Sequence, residues 1–347
     1  MHIKRWMRLI LLAVCLLWGN LTPAYAQECL SEDAPGCTHG LPTDQYQRLL
    51  AQMEAYPAPR VTPIPIRQKE VDAYTFYRVS PGAPRYSAPH GEVIGSVGDG
   101  LNFVSIYGIK DGFAKMRDGA WMALENLTKT YASELSGVLF TEPPSYPVAW
   151  VLQASIPSRI PGGITRAEWP AVKRYTLVNI YATVRRNGWN WYLIAPGQWI
   201  EQRKVGLINP QVRPDHTPKA DERWVSVDLY EQVMGIYEGE NLIGAALVST
   251  GISPLNTPTG TYQVYQRLER ANLRGSMGEA DGYSLPAVPY ALFYEGDLGL
   301  HGVYWHDGFG FKRSHGCVNL SVSDAGWLFQ WTEGGTALTV VVWSSGK

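Results

Sequence analysis

"HGVYWHDGFGFKRSHGCVNL", His301–Leu320, places three histidines and one cysteine within a single short stretch. A thiol becomes a nucleophile when a histidine or a positive field draws off its proton. His301 ends an apolar run, "LGLHG", and reaches Cys317 if that run pairs with the segment carrying "HGCVNL". His301 is therefore the expected base. His315 lies two residues before Cys317, which in an extended strand would put both side chains on one face, but Gly316 between them points to a bent backbone. Gly316 lets the backbone come close to a reacting carbonyl, and the amides of Gly316 and Cys317 are expected to face a developing oxyanion. Asn319 is a candidate to orient backbone or substrate through its amide. Two plainer readings stand beside this one. Cys317 and His315 fit an ordinary buried thiol and a satisfied core histidine. His301, His306, His315 and Cys317 also offer zinc ligands, although the paired spacing of zinc motifs is missing.

Around this stretch the pattern is that of strands. "RWVSVDLYEQVMGIYEGENLIGAALVSTG" alternates through Trp224–Leu229 and Val233–Tyr237, turns at Glu-Gly-Glu-Asn, and resumes from Leu242 to Val248. "NTPTGTYQVYQRL" adds a turn and a strand, and "VPYALFYEGDLGLHG" adds two strands across Glu295-Gly296-Asp297. Only "SVSDAGWLFQWT" reads as a helix, starting at Ser321 or Ser323, and "ALTVVVW" closes the chain as a strand. A Pro-containing linker, 209–222, precedes all of this.

The 347 residues contain four cysteines, and their placement sharpens the question of Cys317. The first 26 residues have a basic start, an apolar run from Leu9 to Trp18 and an Ala24-Tyr25-Ala26 ending. That is the pattern of a secretory signal, which removes Cys15 and leaves membrane contact only to the uncleaved segment. Cys29 and Cys37 sit close together in "ECLSEDAPGC" and are candidates for a disulfide. Cys317 is left over. Thirteen Trp and 20 Tyr, 35 Gly and 24 Pro, with few long helical periodicities, mark a mainly β chain. A net charge of −1 without any basic run argues against a nucleic-acid partner.

An internal repeat occupies the middle. "FVSIYGIKDGFAKMRDGAWM" (Phe103–Met122) and "LVNIYATVRRNGWNWYLIAPGQWI" (Leu177–Ile200) share Val-polar-Ile-Tyr, a turn at Asp111-Gly112 or Asn187-Gly188, and a Gly-x-Trp-apolar close. Each copy resembles a bacterial SH3-like domain, one over about 73–128 and the other over 146–208. Trp121, Trp189, Trp191 and Trp199 are expected mostly to fill small β cores, with wall binding through exposed aromatics as the functional alternative. Residues 27–72, with a short helix at "TDQYQRLLAQMEAY" and the proline-rich "YPAPRVTPIPIRQKE", form an N-terminal lead-in.

With these residues in view, 222–344 resembles the L,D-transpeptidase catalytic domain of YkuD type. The resemblance rests on His301-Gly302, on Ser314-His315-Gly316-Cys317-Val318-Asn319, and on the upstream "VSTGISPLNTPTG". It implies a β-rich sandwich preceded here by two SH3-like barrel modules. It implies a nucleophile at Cys317, a base at His301, oxyanion donors around Gly316 and Cys317, and supporting roles for Ser314, His315 and Asn319. Asn319 stands where many members carry Arg. Tyr283 and Tyr290 fall where a loop over the substrate is expected. The implied reaction cross-links peptidoglycan stem peptides through a cysteinyl thioester, needs no metal or organic cofactor, and takes place in the periplasm or cell wall. Hydrolysis of the same thioester would make a carboxypeptidase or cross-link hydrolase instead. A papain-like peptidase normally has its cysteine before its histidine, the reverse of His301 and Cys317. An inert, wall-binding protein would have no reason to retain the motif.

Overall fold

The computed structural model describes residues 29–165, 167–213, 216–275, 282–334 and 338–346, so the expected signal segment lies outside the described residues. Two seven-stranded sheets carry the molecule. In the first, Arg223–Asp228 is central, antiparallel to Val233–Glu238 and parallel to Thr339–Trp343. Asn241–Leu247 continues this sheet on one side and Gly260–Gln263 ends it on the other. In the second, Tyr283–Glu295 pairs with Leu298–Gly302, which lies parallel to Val318–Leu320. Gln266–Gly275 folds back on Tyr283–Glu295 as a long hairpin.

Alternation along these strands decides what is buried. Val225, Val227, Met234 and Ile236 from the first sheet meet Leu292, Leu300, Val318 and Leu320 from the second in one core. The helix Val322–Trp331 closes that core with Ala325 and Leu328. Ser321 starts the helix, its Oγ accepting the Asp324 amide at 3.0 Å. That bond satisfies one of the amides that a helix start leaves without a partner.

The front half is built into these sheets as well as beside them. Val61–Pro63 and Val138–Phe140 extend the first sheet, with Val138 paired to Ala245 and Leu139 to Gly244. Tyr77–Val79, Leu101–Val104 and Leu127–Lys129 extend the second, through a parallel pairing of Leu101 with Tyr283 and Asn102 with Ser284. The segments expected as small barrels form open sheets: five strands within 84–123, and two three-stranded sheets within 148–207. Among the described residues no closed barrel is found. Three strands of the first segment pair with one another and join the second sheet through Leu101–Val104.

The repeat itself folds as the sequence indicates. Asp111 and Gly112 have φ of 48° and 77°, and Asn187 and Gly188 have φ of 52° and 82°. Positive φ at both central residues is what a two-residue hairpin loop needs, and Lys110–Phe113 and Arg186–Trp189 close those loops. Trp199 is fully buried with Leu41, Tyr46 and Met53 of the N-terminal segment, whereas Trp121, Trp189 and Trp191 are half-buried. Cys29 and Cys37 are joined in a disulfide, and Cys317 is a free thiol.

Candidate active site

The parallel pairing of Leu298–Gly302 with Val318–Leu320 builds the site. Leu300 faces Val318 in register and His301 faces Asn319. Leu300 and Val318 point into the core, so the alternate residues His301, Asn319 and Cys317 share the opposite face. That face floors a pocket of about 160 Å³ lined by His301, Trp305, Arg313, Ser314, His315 and Cys317. Leu101 from the front half and Tyr283, Leu273 and Leu285 from the hairpin wall it.

Cys317 keeps part of its surface open to the pocket while its sulfur is surrounded by protein. Burial pushes the thiol up to about 11, against a smaller stabilising contribution from the Gly299 amide, which donates to the sulfur. The sulfur also lies 3.7 Å from the Asp297 carbonyl oxygen. His301 is 2% exposed and its Nδ1 sits 3.1 Å from the Gly302 carbonyl. A carbonyl only accepts, so Nδ1 carries the proton and Nε2 keeps its lone pair. Burial lowers His301 to about 4. At neutral pH the resting pair is thus thiol and neutral imidazole. Desolvation opposes the ionisation that a neighbouring histidine would promote.

The other signature residues hold the nucleophile's backbone. Gly316 has a φ of +121°, and a Cβ there would come within 2.8 Å of the Leu298 side chain. Its amide donates to Ser314 Oγ at 3.1 Å, so this donor is engaged rather than open to an oxyanion. Ser314 Oγ in turn donates to the Cys317 carbonyl at 2.5 Å. His315 is half-buried on the pocket wall, its ring 5.1 Å from that of Tyr283. Burial, with the nearby Cys317 sulfur, raises the Tyr283 phenol. Tyr290 lies away from the pocket, donating to Glu70 at 2.5 Å.

Asn319 is buried beside His306, at 3.1 Å from Nε2. Nδ1 of His306 accepts the Gly308 amide at 3.0 Å, which places the His306 proton on Nε2. The Asn319 side chain is placed with Nδ2 toward that nitrogen and Oδ1 without a hydrogen bond; exchanging the two amide atoms lets Oδ1 accept the Nε2 proton. Burial, with Arg313 and His301 nearby, holds His306 down at about 3. Asn319 therefore orients the loop between His301 and Cys317. Among the described residues no three His, Cys, Asp or Glu side chains converge so as to hold a metal ion.

Several supporting residues were not marked by sequence reasoning. Thr257 Oγ1 donates to the Gly316 carbonyl at 2.7 Å and accepts the Gly251 amide at 2.9 Å. It belongs to the Thr-Pro-x-Gly stretch, which was the available signal. Ser249 and Thr250 bind the loop through backbone bonds to Asn319, Arg313 and Ser314. Asp307 in that loop is held from the front half: Ser133 donates to its carboxylate at 2.5 Å and Tyr175 to its carbonyl at 2.9 Å. Nothing in the local sequence around Ser133 or Tyr175 announces this.

Residues 222–342 match the family model of the L,D-transpeptidase catalytic domain, YkuD. The C-terminal third of the chain is thus similar to an L,D-transpeptidase catalytic domain, and the family model covers only that third. The chain is 27% identical over 135 residues to the "Putative L,D-transpeptidase YciB" of Bacillus subtilis, covering 35% of this chain and 63% of that protein. The match therefore spans less than two thirds of that relative. Among solved structures, a mutant L,D-transpeptidase of Enterococcus faecium is 28% identical, covering 35% of this chain and 50% of that one, with a TM-score of 0.32. The L,D-transpeptidase from Mycobacterium smegmatis is 16% identical, covering 60% and 90%, with a TM-score of 0.34.

Proposed function

We propose that this chain is a peptidoglycan L,D-transpeptidase that works through a thioester on Cys317. The observation that carries the reading is the register of two parallel strands, which sets Cys317 and His301 on one pocket-facing side with the His301 tautomer fixed. Nε2 of His301 takes the thiol proton as sulfur attacks the carbonyl between an L-centre and a terminal D-Ala. The Cys317 amide faces the oxyanion, since the Gly316 amide is engaged by Ser314. His301 then protonates the departing amine, and D-Ala leaves. An amine on a neighbouring stem attacks the thioester, restoring the thiol and forming a 3→3 cross-link. Attack by water would give a shortened stem instead, and the walls supplied by Leu101, Tyr283 and Leu285 favour its exclusion. Arg313 is the permanent cation on the pocket wall and suits a stem carboxylate.

The chain is read as exported to the periplasm or cell wall. The Cys29–Cys37 disulfide supports this, because such bonds persist in oxidising compartments. Residues 73–128 and 146–208 are read as SH3-like modules on the strength of the tandem repeat and its matched hairpins.

Intact-protein mass spectrometry with tetrapeptide muropeptides tests the reading. A stem-sized adduct, D-Ala release and a dimeric product are expected from the native chain, and none of them from Cys317→Ser. Adduct and D-Ala without dimer would replace transpeptidation by hydrolysis, and full activity of Cys317→Ser would end the thioester mechanism.

A further inference from the structure

The hairpin that walls the thiol pocket has a second face. Leu273, Tyr283 and Leu285 look toward Cys317, while Arg270, Arg274 and Ser284 look the other way, into a cleft of about 740 Å³. The far wall of that cleft belongs to the front half, which contributes Arg85 and Arg117. Four guanidinium groups thus share the cleft with one acid, Asp118, in a chain whose net charge is −1. Asp118 is already bound by Arg85 at 2.5 Å, and Arg270 bonds the Tyr74 side chain. Among the described residues the side chains of Arg117 and Arg274 make no hydrogen bond or ion pair. Val97, Phe103 and Met116 give the same cleft an apolar floor.

We propose that this cleft is a second binding site, for a peptide that carries carboxylates between small apolar groups. Paired guanidinium forks recognise carboxylates in a bidentate manner, and the floor takes methyl groups. A polyphosphate chain would use the arginines and leave the floor unfilled. Given the function proposed above, on which this identification rests, the ligand is the stem peptide of a second glycan strand, docked one hairpin away from the thiol. The site holds polymeric wall while the pocket works on a single stem.

The test uses the full chain, with Arg117→Glu and Arg274→Glu combined. Both side chains are exposed, and thermal melting verifies that the double variant folds. Binding to purified sacculi is measured by sedimentation across a salt series, and D-Ala release from soluble tetrapeptide muropeptide is measured separately. The expected result is about a tenfold or greater loss of sacculus binding with a flatter salt dependence, and unchanged D-Ala release. Arg117→Lys with Arg274→Lys is expected to recover only part of the binding. Sacculus binding that survives the charge reversal overturns the proposal, as does competition by polyphosphate that exceeds competition by muropeptide. A native chain that binds sacculi through these arginines but never releases D-Ala would refute the enzymatic reading and leave the peptide site standing.

Discussion

Alkylation of Cys317 by iodoacetamide, followed from pH 6 to 10, tests the resting state of the catalytic pair. Burial places the thiol at about 11 and the His301 imidazole at about 4, so neither is charged at neutrality. Against an ordinary thiol near 9, the thiolate population at a given pH falls by about a hundredfold. A more basic thiolate is intrinsically more reactive, by roughly eightfold for two pKa units. Cys317 should therefore react about tenfold more slowly than an exposed cysteine peptide at pH 8. The sharper signature is the shape of the profile. The rate should climb tenfold per pH unit through pH 10 without levelling. His301→Gln should leave that slope intact, because the imidazole ionises nothing at rest, while acyl transfer from a stem peptide collapses. A plateau between pH 6 and 8 that disappears in His301→Gln would show a preformed thiolate–imidazolium pair and refute the argument.

Three further outcomes follow from the packing. Thr257→Val keeps the shape but removes the donor to the Gly316 carbonyl and the acceptor for the Gly251 amide. Stranding two buried backbone groups should cost about 1–3 kcal/mol each, lowering the melting temperature and, through a misplaced Cys317, kcat more than KM. Asp324 is buried and its carboxyl is raised to about 7, so between about pH 4 and 7 the folded chain holds a proton that the unfolded chain has lost. Stability from this group is therefore present below that window and lost as pH rises through it. Comparing melts at pH 5 and 8, Asp324→Asn should shrink the loss, and Glu231→Gln, whose carboxyl burial also raises to about 7, should shrink it separately. Gly100→Ala would place a Cβ 2.0 Å from the Gly282 carbonyl at a φ of +96°. Limited proteolysis should then cut the 266–295 hairpin faster than in the native chain, and an unchanged rate would show that the Leu101–Tyr283 pairing does not restrain it.

The site was largely legible because its chemistry is local. His301, Ser314, Gly316, Cys317 and Asn319 lie within one stretch, and the pairing that unites them needs only the intervening loop. The Asp-Gly and Asn-Gly turns and the Ser321 cap were legible for the same reason: each is decided by two to four consecutive residues. Desolvation was not. Whether a thiol sits at 9 or 11 depends on how many distant groups close over it, and no motif records that. The engaged Gly316 amide was also hidden, since a glycine and a serine two apart read equally well as an open oxyanion hole. Nor could three-residue strands such as Val61–Pro63 and Val138–Phe140 be placed. They are too short for a period; Val61–Pro63 pairs with Val138–Phe140, whose other partner, Asn241–Leu247, lies a further hundred residues on.

Those distant pairings bear on how the chain comes together. A polypeptide made from its N-terminus exposes Val138–Phe140 and Leu101–Val104 long before Asn241–Leu247 and Tyr283–Glu295 exist to receive them. The front half must keep open strand edges through most of its own synthesis, and such edges invite pairing with other chains. Non-local sheet pairings also fold slowly. The last strands to appear, Val318–Leu320 and Thr339–Trp343, complete the pocket and the first sheet respectively. The reactive thiol accordingly reaches its place only when nearly every other residue has found its own, so a half-finished chain carries no finished catalyst.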